Sequence, residues 1–210
     1  MRARPIVFLL PLLLGAATAA AAAPAAVAAP ARWPVPAVGL MAADAAASAP
    51  PDFKRMLAKH PGRLMEGVKA GLAASPALDA AGRRAALASG TRRIAQAIRD
   101  HRPFADVAYE AGGLVAEASL LIPPAAPAAD DASLLALARG GATFRGYPPR
   151  PFDSPEALVA ARLPAGTARE AYDSSLTLSA RLLAWIWNAA GGDATVAAAR
   201  PESKGPYPVR

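Results

Sequence analysis

Three carboxylates, Asp106, Glu110 and Glu117, recur along the stretch PFADVAYEAGGLVAEASLLIPP (103–124). Their spacing places them on one edge of a helix, where they could bind a cation or work as acid and base. More often such an edge is simply solvated or paired with arginine. Histidine occurs only at His60 and His101. His60 lies one turn after Leu57 and one before Leu64, so it reads either as a partly buried structural imidazole or as a base. His101 follows Asp100 at an expected helix end, where an imidazole satisfies carbonyls and suits the dipole. Two histidines this far apart make no HxxxH, HxxxD or HExxH pair. Ser119, Ser174, Ser175 and Ser179 lack a nucleophile-elbow context, and no strand precedes a glycine-rich phosphate loop. The catalytic candidates are therefore Asp106, Glu110, Glu117 and His60, and no metal site or cofactor is expected.

The composition narrows the setting. The 210 residues suit one domain and carry a formal charge of +7, which becomes +5 if Arg2 and Arg4 are removed with a leader. That excess is modest and spread out, which fits weak attraction to anionic surfaces and gives no basis for specific nucleic-acid binding. Much of the 54% apolar content is alanine in low-complexity runs, so packing must rest on the larger side chains. Cysteine is absent, which removes disulfides and thiolate catalysis. Residues 1–29 read as a signal peptide: Arg2 and Arg4 precede the apolar run IVFLLPLLLGAATAAAAA, and small-residue cleavage sites lie around Ala21 to Ala29. Pro11 and the short leucine run argue against a stable membrane anchor, which needs about 20 apolar residues. The expected mature protein is periplasmic or secreted, with no transmembrane segment.

The elements that would position these residues are helical throughout. Residues 30–36 form a Pro/Ala-rich leader with Trp33 as its one large side chain, residues 37–192 a helical domain, and residues 193–210 a disordered tail. A short helix is expected over Val38–Ala47. Another runs from about Asp52 to Ala73, with Pro61 and Gly62 predicting a kink or two shorter helices. Ser75 and Pro76 read as the start of a helix reaching about His101, with Arg83, Arg84, Arg92, Arg93 and Arg99 on its solvated side and Gly90–Thr91 as a dividing point. In the central helix, Val107, Ala111, Leu114, Ala118 and Leu121 make one apolar stripe between prolines. A short helix over Leu134–Ala138 precedes the long loop GGATFRGYPPRPF, in which Phe144 and Tyr147 are either ligand contacts or anchors. Ser154 and Pro155 open another short helix. Thr167 and Glu170 form a capping box for a last helix that ends at Gly191. Trp185 and Trp187 on that helix are core or groove lining. The fold class is all-α, a bundle of five to seven helices.

In their order and spacing, Trp33, PPDFKRMLAKHPGRLMEGV, RPFADVAYEAGGLVAEASLLIPP and AREAYDSSLTLSARLLAWIWNAAGG resemble the helical superfamily of zinc-dependent phospholipases C and single-strand-specific nucleases, in its exported bacterial form. The resemblance implies a multi-helix fold and an HxxxD pair on the central helix, within a pattern like GxLAHYxADLxxP. Here GGLVAEASLLIPP puts Ala116 at the histidine position and Leu120 at the aspartate position, and VPAVGLMAAD offers no histidine after Trp33. Neither alanine nor leucine can donate to Zn²⁺.

Three readings follow. The first is a non-catalytic exported domain, a pseudoenzyme of that superfamily with a binding or structural role. Its cleft would lie between the central and last helices, lined by Ala116, Leu120, Trp185 and Trp187, and would suit a lipid or other apolar ligand. The second is a surviving phosphodiester or lipid-ester hydrolase that uses Asp106, Glu110 or Glu117 with His60. The third is a peripheral envelope protein whose arginine-rich helix, Arg83 to Arg99, meets anionic lipid.

Overall fold

Prolines open the first three helices, as their fixed φ and missing N–H favour at a helix start. The computed structural model describes residues 32–74, 77–125, 130–147 and 154–193. The expected signal peptide and all but the first residue of the expected tail lie outside these. Helix α1 (Val35–Ser48) begins two residues ahead of the expected domain boundary, with proline in its first turn. Helix α2 (Pro51–Leu57) and helix α3 (Pro61–Ala74) are the two shorter helices into which the expected long one divides. His60 occupies the break between them rather than a helical face: its N–H donates to the Leu57 carbonyl, and its own carbonyl accepts from Leu64.

Helix α4 (Ala80–Arg99) starts later than Ser75 and Pro76 suggest. The Asp79 carboxylate accepts from the Gly82 N–H at 2.7 Å and supplies the N-cap. The helix is not divided at Gly90–Thr91, because both residues are buried inside it and the Thr91 hydroxyl donates to the Leu87 carbonyl at 2.7 Å. It ends in a Schellman motif, with Arg102 N–H on the Ala97 carbonyl and His101 N–H on the Ile98 carbonyl. His101 takes the left-handed position usually given to glycine, at φ 56°. It therefore shapes the helix end through its backbone.

Helix α5 (Phe104–Leu121) is the expected central helix. Helices α6 (Asp131–Arg139) and α7 (Pro155–Ala160) are short and are capped by Asp130 and Ser154. Helix α8 (Ala168–Ala189) carries the expected capping box, Thr167 and Glu170 bonding reciprocally. Gly191 beyond its end lies at φ 89°. The described residues thus form an all-α fold of eight helices without a strand. None of these helices is long and apolar enough to cross a membrane.

The core lies where α5 and α8 meet α1, α3 and α4. Of the two long buried helices, α8 is the more enclosed, with 14 of its 22 residues buried against 9 of 18 in α5. Trp33 belongs to this core although it precedes α1. It is 4% exposed, its indole N–H donates to the Ile122 carbonyl at 3.0 Å, and its ring meets Tyr172 edge-on.

Candidate functional site

The acidic edge of α5 is helical as its spacing requires, and arginines from three elements meet it. Arg63 of α3 lies 3.6 Å from Asp106 and stacks over the Tyr109 ring, and Arg102 lies 3.7 Å from Asp106. Glu110 receives Arg93 at 3.1 Å and Arg102 at 2.9 Å. Glu117 receives Arg83 at 3.1 Å, and both of those side chains are largely buried. His60 stands apart from this edge, half-buried, with its ring against Phe104 at 6.4 Å. Among the described residues no three His, Cys, Asp or Glu side chains assemble into a group able to hold a metal ion. The same pairs occupy the arginine face of α4. Arg92 is paired with Glu156 of α7, and Arg99 donates to the Ala189 carbonyl at 2.6 Å.

Ala116 and Leu120 have different surroundings. Ala116 is fully buried against α3, and a Cβ placed on Gly71 would come within 2.8 Å of its methyl group. That contact leaves no room for an imidazole, so the residues present do not fit the zinc ion that the family resemblance implies. Leu120 is half-buried and lines a pocket with Arg32, Leu78, Ala80, Arg83, Leu121 and Pro123. Trp185 and Trp187 are not part of that lining. Trp187 stacks on Phe53 at 5.1 Å, and Phe53 meets Phe104 edge-on at 5.9 Å. Phe104 opens α5 and Leu120 comes 16 residues later, about 24 Å along the axis. The expected four-residue cleft is therefore two separate places, one at each end of α5. Trp185 packs against the common core.

The described part of the long loop, Gly141 to Tyr147, is anchored, which is one of its two readings. Phe144 is buried, meets Tyr147 edge-on at 4.9 Å, and the Tyr147 hydroxyl donates to the Ser48 carbonyl. Its segment from Gly141 to Tyr147 lies along α8 and creates a buried polar seam that no sequence motif announces. Asp173 accepts from the Thr143 N–H at 3.0 Å, Thr177 accepts from the Arg145 N–H at 3.2 Å, and Arg181 donates to the Gly146 carbonyl at 3.0 Å. Arg169 donates to the carbonyls of Leu137, at 2.7 Å, and Gly141.

Desolvation governs the charges along this seam. Burial pushes the Asp44 carboxyl of α1 up to about 6. It also raises Asp173, against the opposing pull of the Thr143 N–H and of Arg169 and Arg145. The Tyr172 phenol is lifted well above its usual range by burial first and by the nearby Asp44 carboxylate second. Burial lowers Arg181, and Arg145 beside it adds to that effect. The Tyr172 hydroxyl and the Arg145 Nε are buried with no hydrogen-bond partner. Serines that have no nucleophile context serve the backbone here: Ser174 donates to Pro164, Ser175 to Ile122 and Ser179 to Ser175.

The sequence reading missed Asp44 and the Thr143–Asp173 hydrogen bond because they join segments far apart in the chain. It also missed a local signal, Gly67 and Gly71 four residues apart on α3, opposite Gly112 and Gly113 of α5. No protein-family model, curated protein or solved structure matches the chain.

Proposed function

We propose that the chain is a non-catalytic exported helical domain, a degenerate relative of the zinc-dependent phospholipase C and nuclease superfamily with a binding role. The observation that carries this reading is the state of α5. Each of its three candidate carboxylates is engaged by arginine, and Ala116 is packed against α3. A carboxylate held in such pairs turns its oxygens to a guanidinium rather than to a substrate or a metal ion. Arginine at this edge also places positive charge where a metal site would need anionic ligands. The pairing supports a structural role for Asp106, Glu110 and Glu117.

Elemental analysis of the purified protein, paired with phosphodiester and lipid-ester turnover assays, tests the reading. The expected result is zinc well below one ion per chain and turnover no faster than buffer. Stoichiometric zinc, or turnover lost in a Glu117→Ala variant that remains folded, would overturn it.

A further inference from the structure

The pocket at the C-terminal end of α5 combines two kinds of wall. Leu78, Leu120, Leu121 and Pro123 give it an apolar side, while Arg32 and Arg83 stand in its lining as cations. The space between them is about 230 Å³. Three segments build it: the residue before Trp33, the first turn of α4 with Leu78 ahead of it, and the end of α5. Its position is fixed by the Trp33 indole bond to Ile122, adjacent to Leu121, and by the partly buried Arg83–Glu117 pair joining α4 to α5. Leu78 is 37% exposed, one of two large apolar side chains so open to solvent among the described residues.

The charges do not cancel. Glu117 offsets Arg83, whereas Arg32 has no ion pair among the described residues, leaving one unmatched cation at the rim. A site with apolar walls and a few polar groups fixing orientation is the usual form of a small-molecule pocket. Here the single surplus cation selects a single negative charge. The volume limits the tail: a cavity of about 150 Å³ accepts a benzene ring, so this space suits roughly nine carbon atoms.

We infer that this pocket binds a single-chain amphiphile with one anionic head group, of the medium-chain carboxylate class, with the tail against Leu78, Leu120, Leu121 and Pro123 and the head on Arg32. The inference rests on the reading of the chain as a binding protein. It names the site and the ligand class of that role, and moves it away from Trp185 and Trp187.

Calorimetric titration of the purified protein with decanoate, decan-1-ol and decyltrimethylammonium below their micelle concentrations tests it. Decanoate is expected to bind one to one, below about 1 mM, and with a negative heat-capacity change. Decanol should bind at least about fivefold more weakly and the cation not measurably, since each lacks the charge Arg32 selects. Arg32→Ala should weaken decanoate about fivefold and leave decanol unchanged. Leu120→Trp, which fills the space, should abolish binding. Leu78→Asp, at an exposed position that does not threaten folding, should do the same by adding a negative charge. Equal affinity for decanoate and decanol, or decanoate binding indifferent to both Arg32→Ala and Leu78→Asp, would overturn the inference, as would no binding to the folded wild-type protein. A zinc-free, inert protein that ignores decanoate overturns this site alone. A protein that binds decanoate but carries stoichiometric zinc overturns the earlier reading alone.

Discussion

The contact between α3 and α5 and the seam between α1, the 141–147 segment and α8 are both buried, and they are built on opposite principles. At the first, backbones meet. A Cβ on Gly67 would lie 1.9 Å from the Tyr109 carbonyl oxygen, and one on Gly112 would lie 2.0 Å from the Leu64 carbonyl oxygen. The contacts advance together along both helices, Gly67 facing Tyr109 and Gly71 facing Ala116, so the two run in the same direction with α4 as the return. At the second, polar side chains meet, with carboxylates raised by burial and two buried polar atoms left unpaired. Close-packed interfaces of small residues tolerate almost no added volume. Partly satisfied polar interfaces instead respond to charge, since desolvation penalises whichever group is ionised. The rigid contact includes Ala116, which faces Gly71, and the responsive one runs along α8.

The largest expected effect breaks the rigid side. Gly112→Ala forces its methyl group onto backbone atoms that cannot rotate away, and should lower the unfolding free energy by at least about 3 kcal/mol in urea. Gly62, in the first turn of the same α3, has nothing within 4 Å of its hypothetical Cβ. Gly62→Ala should therefore be neutral or stabilising by about 0.5–1 kcal/mol. If both variants fall within about 1 kcal/mol of wild type, the close approach of α3 and α5 does not exist in solution.

The responsive side should show itself in pH. The Asp44 carboxyl titrates at about 6 in the fold, above roughly 3.9 for an unfolded aspartate. The folded state therefore holds the proton more tightly across that interval. Stability attributable to Asp44 is greatest below the unfolded value, declines as pH rises toward 6 and is flat above it. The Asp44 carboxylate acts on the Tyr172 phenol of α8, as do the charges of Arg169 and Asp173. The Asp44 side chain keeps some contact with water, so its cost at neutral pH is about 1–2 kcal/mol after screening. Asp44→Asn should stabilise the protein by that amount at pH 7.5 and by little at pH 4. Asp173, raised in the same direction, contributes equally to both proteins and cancels in the difference. Stabilisation that is the same at both pH values would mean that Asp44 is not buried against α8.

How far each region was legible follows from the range of its interactions. Capping at Ser154 and at Thr167–Glu170 is written within four residues, as is the break at Pro61, and each was readable. The start of α4 was misplaced because Ser75–Pro76 and Asp79 are both competent caps, and no residue from Ala80 to Ala86 is buried to mark which one the helix uses. Gly90 looked like a breaker because a glycine weakens an isolated helix, but burial beside Leu114 outweighs that propensity. The carboxylate edge of α5 was visible as a pattern, and its partners were not. Arg63, Arg83, Arg93 and Arg102 reach it from other elements or from beyond the helix start. The glycine contact was written in the four-residue spacing of Gly67 and Gly71 and passed unread. Asp44 could not have been found, since nothing around it in the chain distinguishes it from a solvated aspartate on an alanine-rich helix.

The smallest effect sharpens the polar seam to one atom. The Tyr172 ring is fully buried and edge-on to Trp33 at 5.6 Å, a packing role that phenylalanine would keep. Its hydroxyl is buried without a hydrogen-bond partner, so folding strips that group of water and returns nothing. Tyr172→Phe should therefore leave stability unchanged or raise it by up to about 1 kcal/mol, where the loss of a satisfied buried hydroxyl would lower it. The Asp44 carboxylate also lies close enough to raise the phenol further, so the effect should depend on that residue. In an Asp44→Asn background the carboxylate is gone, and the two changes should combine non-additively, as expected of neighbours. Thermal or urea unfolding of the four proteins of this cycle at pH 7.5 measures both quantities. A loss above about 1 kcal/mol in Tyr172→Phe alone would mean that the hydroxyl donates to Asp44, directly or through a water, and that this seam is as fully satisfied as the glycine contact.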